Sequence, residues 1–272
     1  MMNYSNNPMH PLLSDEEQLE ILFQKHSRLS ELPTIPEFYD DQEIFITGGS
    51  GFMGKVLIEK LLRSCPKIKA IYVLMRPKKG KSIEERLKMI TDLPLFAPIR
   101  KMMPETLEKL IPISGDVLEL RLGMAESDIE RIKNVSVVFH SAASVRFDDP
   151  LKYAVLLNTR GTREVMELAL NFVNLKALVH VSTTYSNPNQ HIVEERLYPA
   201  AADWRKTIEI CEKLDEDQLN VLTPLYINFM PNTYVFSKNL GEQVVNDYKE
   251  KLPVVVFRPS IVISTMMEPF PG

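Results

Sequence analysis

The sequence lacks most of the features that would assign it elsewhere. It holds only two cysteines, Cys65 and Cys211, which show neither metal-site spacing nor a disulfide framework. A reducing, intracellular compartment is the simplest setting for such a chain. No apolar run reaches the roughly 18 to 20 residues of a membrane span. The polar, acidic stretch from Met1 to Glu20 has no apolar signal core, and Pro271-Gly272 carries no C-terminal address signal. Positive charge is not in excess, since 32 Lys and Arg against 36 Asp and Glu leave a net charge of −4. No nucleic-acid partner is expected, because such partners call for a basic surface. A local basic site for a phosphorylated ligand remains compatible with that balance. There is no internal repeat and no low-complexity tract.

What is present is a hydrophobic content of 44% over 272 residues, enough for one large domain with a sizeable core. Residues 1 to about 40 read as an N-terminal leader. In it Ser14-Asp15-Glu16-Glu17 starts a short helix with Leu19, Leu22 and Phe23 on one face, and Pro33 and Pro36 end it. From 41 to 272 short apolar runs recur: Glu43 to Thr47, Lys69 to Met75, Leu110 to Ser114, Val135 to Phe139, Ala177 to Val181 and Val254 to Phe257. Helical segments separate them, notably Lys55 to Arg63, Asp149 to Phe172 and Thr233 to Lys251. Strands without polar alternation, spaced by helices, predict an α/β fold: a Rossmann-type, doubly wound parallel sheet covered on both faces. The charged stretch from 186 to 232 is read as a long insertion on the substrate side.

The turn Gly48-Gly49-Ser50-Gly51-Phe52-Met53-Gly54 follows the first strand and opens a helix. That context lifts G-x-x-G-x-x-G above chance. Gly48 permits the tight turn, Gly51 lets a pyrophosphate approach, and Gly54 lets the helix pack close to the sheet. The helix N-terminus offers free N–H groups to the phosphates. The second strand ends at Met75-Arg76, where NAD enzymes usually carry an acid for the ribose 2′-hydroxyl. A guanidinium there can fork onto a 2′-phosphate, and Ser50 can add a hydrogen bond, so NADPH is expected rather than NADH. A solvated basic loop is the plainer reading of the same residues. Asp116, followed by Val117, can accept from the adenine amino group or simply form a turn. Ser141, Ala142 and Ala143 are small enough to admit the ribose, and His140 reads as a hydrogen-bonded packing residue. No metal site is expected.

Tyr234 and Lys238 stand four apart and share one helix face. A phenol titrates near 10 and is a poor proton donor at neutral pH, but a neighbouring ammonium lowers it. Alone, Y-x-x-x-K is a weak signal. It gains weight from Ser182 and Thr183, which close the fifth strand at the edge where open α/β sheets bind ligands. Either hydroxyl can polarise a carbonyl, or can merely cap the strand.

Together the glycine turn, the Ser-Thr pair and Y-x-x-x-K resemble the extended short-chain dehydrogenases/reductases. The longer runs, 46–57, 72–81, 140–148, 158–162, 180–187, 232–238 and 257–265, resemble the eukaryotic fatty acyl-CoA reductases, the insect type in particular. The resemblance implies reduction of a long-chain acyl-CoA to a primary alcohol with two NADPH, through an aldehyde. It assigns the proton to Tyr234, its tuning and the ribose to Lys238, and carbonyl polarisation to Thr183, with Ser182 as competitor. The cofactor set becomes Thr47, Gly48, Gly49, Ser50, Gly51, Phe52, Met53, Gly54, Arg76, Asp116, Val117, Ser141, Ala142, Ala143, Asn158, Tyr234, Lys238, Pro259, Ser260 and Ile261. Thr184 departs from the Ala expected there. The sequence stops at Gly272, short of the family's C-terminal domain and its membrane-associating region. The resemblance places that region at the endoplasmic reticulum or peroxisome membrane, and its lack predicts an incomplete substrate side. A sterol or nucleotide-sugar dehydrogenase, and a domain that binds NADPH without turnover, are the alternatives.

Overall fold

A computed structural model describes residues 32–78 and 80–269; the helix expected after Ser14 lies outside them. Six strands form one parallel sheet: β1 Glu43–Thr47, β2 Ala70–Met75, β3 Leu110–Ser114, β4 Val137–His140, β5 Ala177–Val181 and β6 Val254–Phe257. Their order is β3-β2-β1-β4-β5-β6. The order reverses between β1 and β4, which opens a crevice at the carboxyl ends of the strands, where a Rossmann sheet takes a dinucleotide. The expected α/β class and most strand limits hold.

Among the described residues ten α-helices surround the sheet. They are α1 Ile35–Phe38, α2 Phe52–Ser64, α3 Ile83–Thr91, α4 Ala97–Met102, α5 Glu126–Arg131, α6 Leu151–Val155, α7 Gly161–Ala169, α8 Trp204–Lys213, α9 Glu216–Tyr226 and α10 Thr233–Tyr248. Because side chains alternate along a strand, β1 feeds two cores. Ile44 and Ile46 pack with Ile58, Leu62 and Ile99 on one face. Phe45 packs with Val155, Val165, Phe236 and Leu240 on the other. All five residues of β1 are buried, as a central strand covered on both sides requires.

Four differences from the expected layout bear on the site. Helix α2 begins at Phe52, not Lys55, so Phe52, Met53 and Gly54 form its first turn. The single helix expected from 149 to 172 is two, α6 and α7, joined by a π-helical turn at Leu156–Arg160 that buries Asn158 and Thr159. Such widened turns cluster at functional sites. The 186–232 stretch carries α8 and α9, each started by an aspartate: Asp203 accepts from the N–H groups of Arg205 and Lys206, and Asp215 forms a capping box with Gln218. Residues 34–39, at the end of the stretch read as leader, are ordered on the domain. Thr34 caps α1, Pro36 sits in its first turn and so begins a helix instead of ending one, and Phe38 and Tyr39 pack on the core. Among the described residues no helix is long and apolar enough to cross a membrane.

Candidate active site

The site grows from the turn after β1. Gly48 has φ +75°, a left-handed conformation that glycine adopts without strain. A Cβ on Gly54 would stand 2.3 Å from the Gly48 carbonyl oxygen and 2.6 Å from Gly49 Cα, so Gly54 lets the helix close on the turn. The contact with the sheet belongs to Gly49 instead, where a Cβ would meet Val73 Cγ1 at 2.5 Å. Gly51 is the N-cap of α2 and offers no side-chain hydrogen bond. The N–H groups of the first turn are therefore left for an anion.

Two cavities meet at this turn. One, of about 380 Å³, runs past Ser50, Gly51, Arg76, Arg86, Gly115, Asp116 and Val117. The other, of about 520 Å³, runs past Phe52, Met53, Gly54, Thr183, Tyr234, Lys238, Pro259, Ser260 and Ile261. Both include Gly48, Gly51, Ser141 and Ala143. The pair forms a bent cleft with a phosphate-binding turn at its elbow, the shape of a dinucleotide. Of the expected cofactor residues, three stand behind the walls. Gly49 faces the sheet. Thr47 is buried, with its hydroxyl 2.7 Å from His140 Nδ1 and accepting from the Ala142 N–H at 3.2 Å. Asn158 binds both the N–H and the carbonyl of Ser144, at 2.9 and 3.0 Å, and donates to Ser237 Oγ at 3.0 Å. It anchors the loop after β4 to α10.

In the first cavity Arg76 lies 3.9 Å from the Asp116 carboxylate, whose other oxygen accepts from the Leu118 N–H at 3.0 Å. Asp116 thus forms the turn and faces the cleft at once. Arg86 donates to the Arg76 carbonyl and brings a second guanidinium to the same wall. Arg86 has no local motif; it comes from α3, ten residues downstream, and only folding places it there.

In the second cavity Thr183 and Tyr234 line one wall, the Thr183 hydroxyl close enough to favour the phenolate, and Phe147 lies against the Tyr234 ring at 5.7 Å. Lys238 is buried and donates to the Val181 carbonyl at 2.7 Å. Burial lowers its pKa to about 8 against the pull of Glu242. The expected depression of the phenol by this ammonium is not what the arrangement produces. Burial raises the Tyr234 pKa and the Thr183 hydroxyl lowers it, with the net upward, while the ammonium is held on the strand end. Ser182, the competing hydroxyl, donates to Glu242 Oε1 at 2.6 Å. Thr183 is the hydroxyl paired with the phenol. Neither cysteine belongs to the site: both are buried, and burial pushes the Cys211 thiol up to about 12, the reverse of an activated thiolate.

Beneath the site His140 and His180 lie 5.3 Å apart, both buried. His140 Nε2 is 3.0 Å from Thr162 Oγ1, completing its bonding as the packing residue expected. Burial, and secondarily Lys238, lowers His140 to about 3 and holds His180 well below the usual range. Both rings are neutral in the fold and charge on unfolding below about pH 6.5. The unfolded chain then binds more protons, so stability must rise with pH through this window. The unfolding free energy is expected to fall by about 3 kcal/mol from pH 6.5 to 5, above the range where carboxylates contribute. Urea denaturation curves that coincide across this interval would sink that expectation.

The chain is 42% identical over 240 residues to "Fatty acyl-CoA reductase 1" of Gallus gallus, covering 88% of this chain and 47% of that protein. It is 42% identical over 267 residues to "Fatty acyl-CoA reductase wat" of Drosophila melanogaster, covering 98% of this chain and 51% of that protein. The chain spans about half the length of the curated relatives it matches. Among solved structures it resembles the terminal R domain from the myxalamid PKS-NRPS biosynthetic pathway, with TM-score 0.60, 24% identity, and coverage of 86% of this chain and 52% of that one. That likeness shows the fold. The model of a nicotinamide-dinucleotide-binding family described as "Male sterility protein" matches residues 46–272, and the chain belongs to that family.

Proposed function

We propose that this chain supplies the NADPH-binding, reducing half of an enzyme that converts long-chain acyl-CoA to fatty alcohol through a bound aldehyde. The observation that carries this reading is the Thr183–Tyr234 hydroxyl pair above buried Lys238, at the far end of a cleft that begins at the phosphate turn. The relatives named for acyl-CoA reduction supply the substrate class. NADPH, when bound, provides hydride. The Thr183 and Tyr234 hydroxyls would together receive the carbonyl oxygen as it gains negative charge, and Tyr234 would deliver the proton. The thioester gives a hemithioacetal, which expels CoA as the thiol and leaves the aldehyde. A second hydride and proton give the alcohol. Lys238, buried in the lining of the same cavity, would hold a ribose hydroxyl with its ammonium. Product analysis with NADPH and a panel of acyl-CoAs, on this chain and on one extended toward the relatives' length, tests the reading. Alcohol from the extended form is expected; its absence there with intact NADPH binding would favour a binding domain without turnover.

The choice of NADPH rests on the two guanidinium groups at the first cavity. Arg76→Ala is expected to weaken NADPH by about ten- to a hundredfold, the worth of a charge-assisted phosphate contact, while NADH changes little. Fluorescence titration of both cofactors decides it, and equal losses would overturn the assignment.

A further inference from the structure

The catalytic wall is held by a buried ion pair that the chemistry above does not use. Glu242 is 1% exposed and lies one turn beyond Lys238 on α10. Its Oε1 accepts from Ser182 Oγ at 2.6 Å, from Ser186 Oγ at 2.8 Å and from Arg258 Nε at 2.9 Å; its Oε2 accepts from Arg258 Nη2 at 2.8 Å. Arg258 in turn donates to the carbonyls of Glu194 and Arg196, at 3.2 and 3.0 Å. Two of these partners, Ser182 and Arg258, lead to walls of the second cavity. Ser182 precedes Thr183, and Arg258 precedes Pro259 and Ser260. The Glu194 and Arg196 carbonyls belong to the stretch between β5 and α8.

We propose that Glu242 is a positioning residue of the site: its carboxylate joins the end of β5 to the end of β6, both of which line the cavity of the Tyr234–Lys238 pair, and through Arg258 ties them to the 194–196 stretch; it also sets the charge that Lys238 meets. The proposal rests on the reading of Tyr234 and Lys238 as the reacting pair. Stability alone does not explain such an arrangement, because well-packed apolar residues replace a buried ion pair with no loss of stability, and often with a gain. The consequence falls on Lys238. The charged and titratable groups facing it are Tyr234 and Glu242 on its own helix, His140 on β4, His180 on β5, and Arg258 across Glu242 from β6. The two histidines are neutral, so Glu242 is the anion in this group that favours the ammonium, and Arg258 is the cation that opposes it.

The signs separate this role from a purely structural one. Glu242→Gln removes the anion and leaves the Arg258 cation, so the Lys238 amine should titrate lower, by about one pH unit or more. A site merely loosened by lost bonds would admit water and move Lys238 up, toward its ordinary value near 10.4. The measurement is a pH titration of the Lys238 Nζ signal in ¹⁵N-lysine-labelled full chain, assigned by its loss in Lys238→Arg. Should Glu242→Gln not fold, Glu242→Gln combined with Arg258→Met leaves no orphan charge and is expected to shift Lys238 in the same direction. In parallel, where the unaltered chain reduces a long-chain aldehyde with NADPH, Glu242→Gln should lower kcat by about tenfold or more with KM changed far less, and move the high-pH limb to lower pH. A Lys238 titration that is unchanged or moves upward overturns the proposal. Turnover that is absent even from the form extended toward the relatives' length counts against the reductase reading instead, and leaves the titration, which needs no substrate, to decide the role of Glu242.

Discussion

Tyr234→Phe is expected to cut reduction of a long-chain acyl substrate by about a hundredfold or more, the usual scale for a positioned proton donor, while NADPH affinity stays nearly constant. The ring of Tyr234 is half-buried and lies against Phe147, and phenylalanine fills the same space. What is lost is the hydroxyl paired with Thr183. In the proposed reading that hydroxyl is both the proton source and one of two donors for the developing oxyanion, so its loss should reach the chemical step and not the grip on the cofactor. The assay is single-turnover reduction by a form of the enzyme that is active, beside a fluorescence titration with NADPH. Near-normal turnover would refute the role given to Tyr234. Lys238→Ala should behave differently, damaging turnover and cofactor affinity together, because the ammonium proposed to hold the ribose lines the same cavity as Tyr234.

The second large effect is expected at Gly54. A methyl group there would stand 2.3 Å from the Gly48 carbonyl oxygen and 2.6 Å from Gly49 Cα. Both are backbone atoms, so neither can swing aside as a side chain would. Gly54→Ala must therefore push α2 away from the turn. The strain should cost about 1–3 kcal/mol of stability, as overpacking does, and the displaced N–H groups should lose the pyrophosphate. An NADPH affinity reduced more than tenfold is expected, with a lower thermal midpoint. A variant that binds NADPH normally would show that the turn closes in some other way.

How much of this was legible beforehand depends on the range of the interactions concerned. The strands were, because apolar runs bounded by turn residues need only local context, and Leu110–Ser114, Ala177–Val181 and Val254–Phe257 fall where the pattern predicts. The glycine turn and the Tyr234–Lys238 spacing were legible for the same reason, each within seven residues. Arg86 was not: its place in the cleft depends on α3 packing back over the end of β2. Glu242 stands four residues after Lys238, so its face of the helix could have been read; its four partners, Ser182, Ser186, Asn187 and Arg258, come from distant segments. The split of the 149–172 helix escaped notice because a π turn has no distinct periodicity over five residues. The effect of Lys238 on Tyr234 was misjudged because i, i+4 spacing says that two side chains share a face, not which acceptor the longer one chooses. Here the Val181 carbonyl takes it.

The neighbour of β1 on the side of the crevice is β4, with Ile44 opposite Val137 and Thr47 opposite His140. Those partners are separated by some ninety residues of chain, and joining them closes a long loop before any contact rewards it. The first three strands can assemble around the glycine turn among themselves, yet that assembly has only one side of the crevice. The loop carrying Ser141 and Ala143 arrives with β4, and Thr183 and Lys238 later still along the chain. Cofactor capture is thus expected late in folding, and NADPH fluorescence recorded during refolding should lag behind the far-ultraviolet signal of the helices.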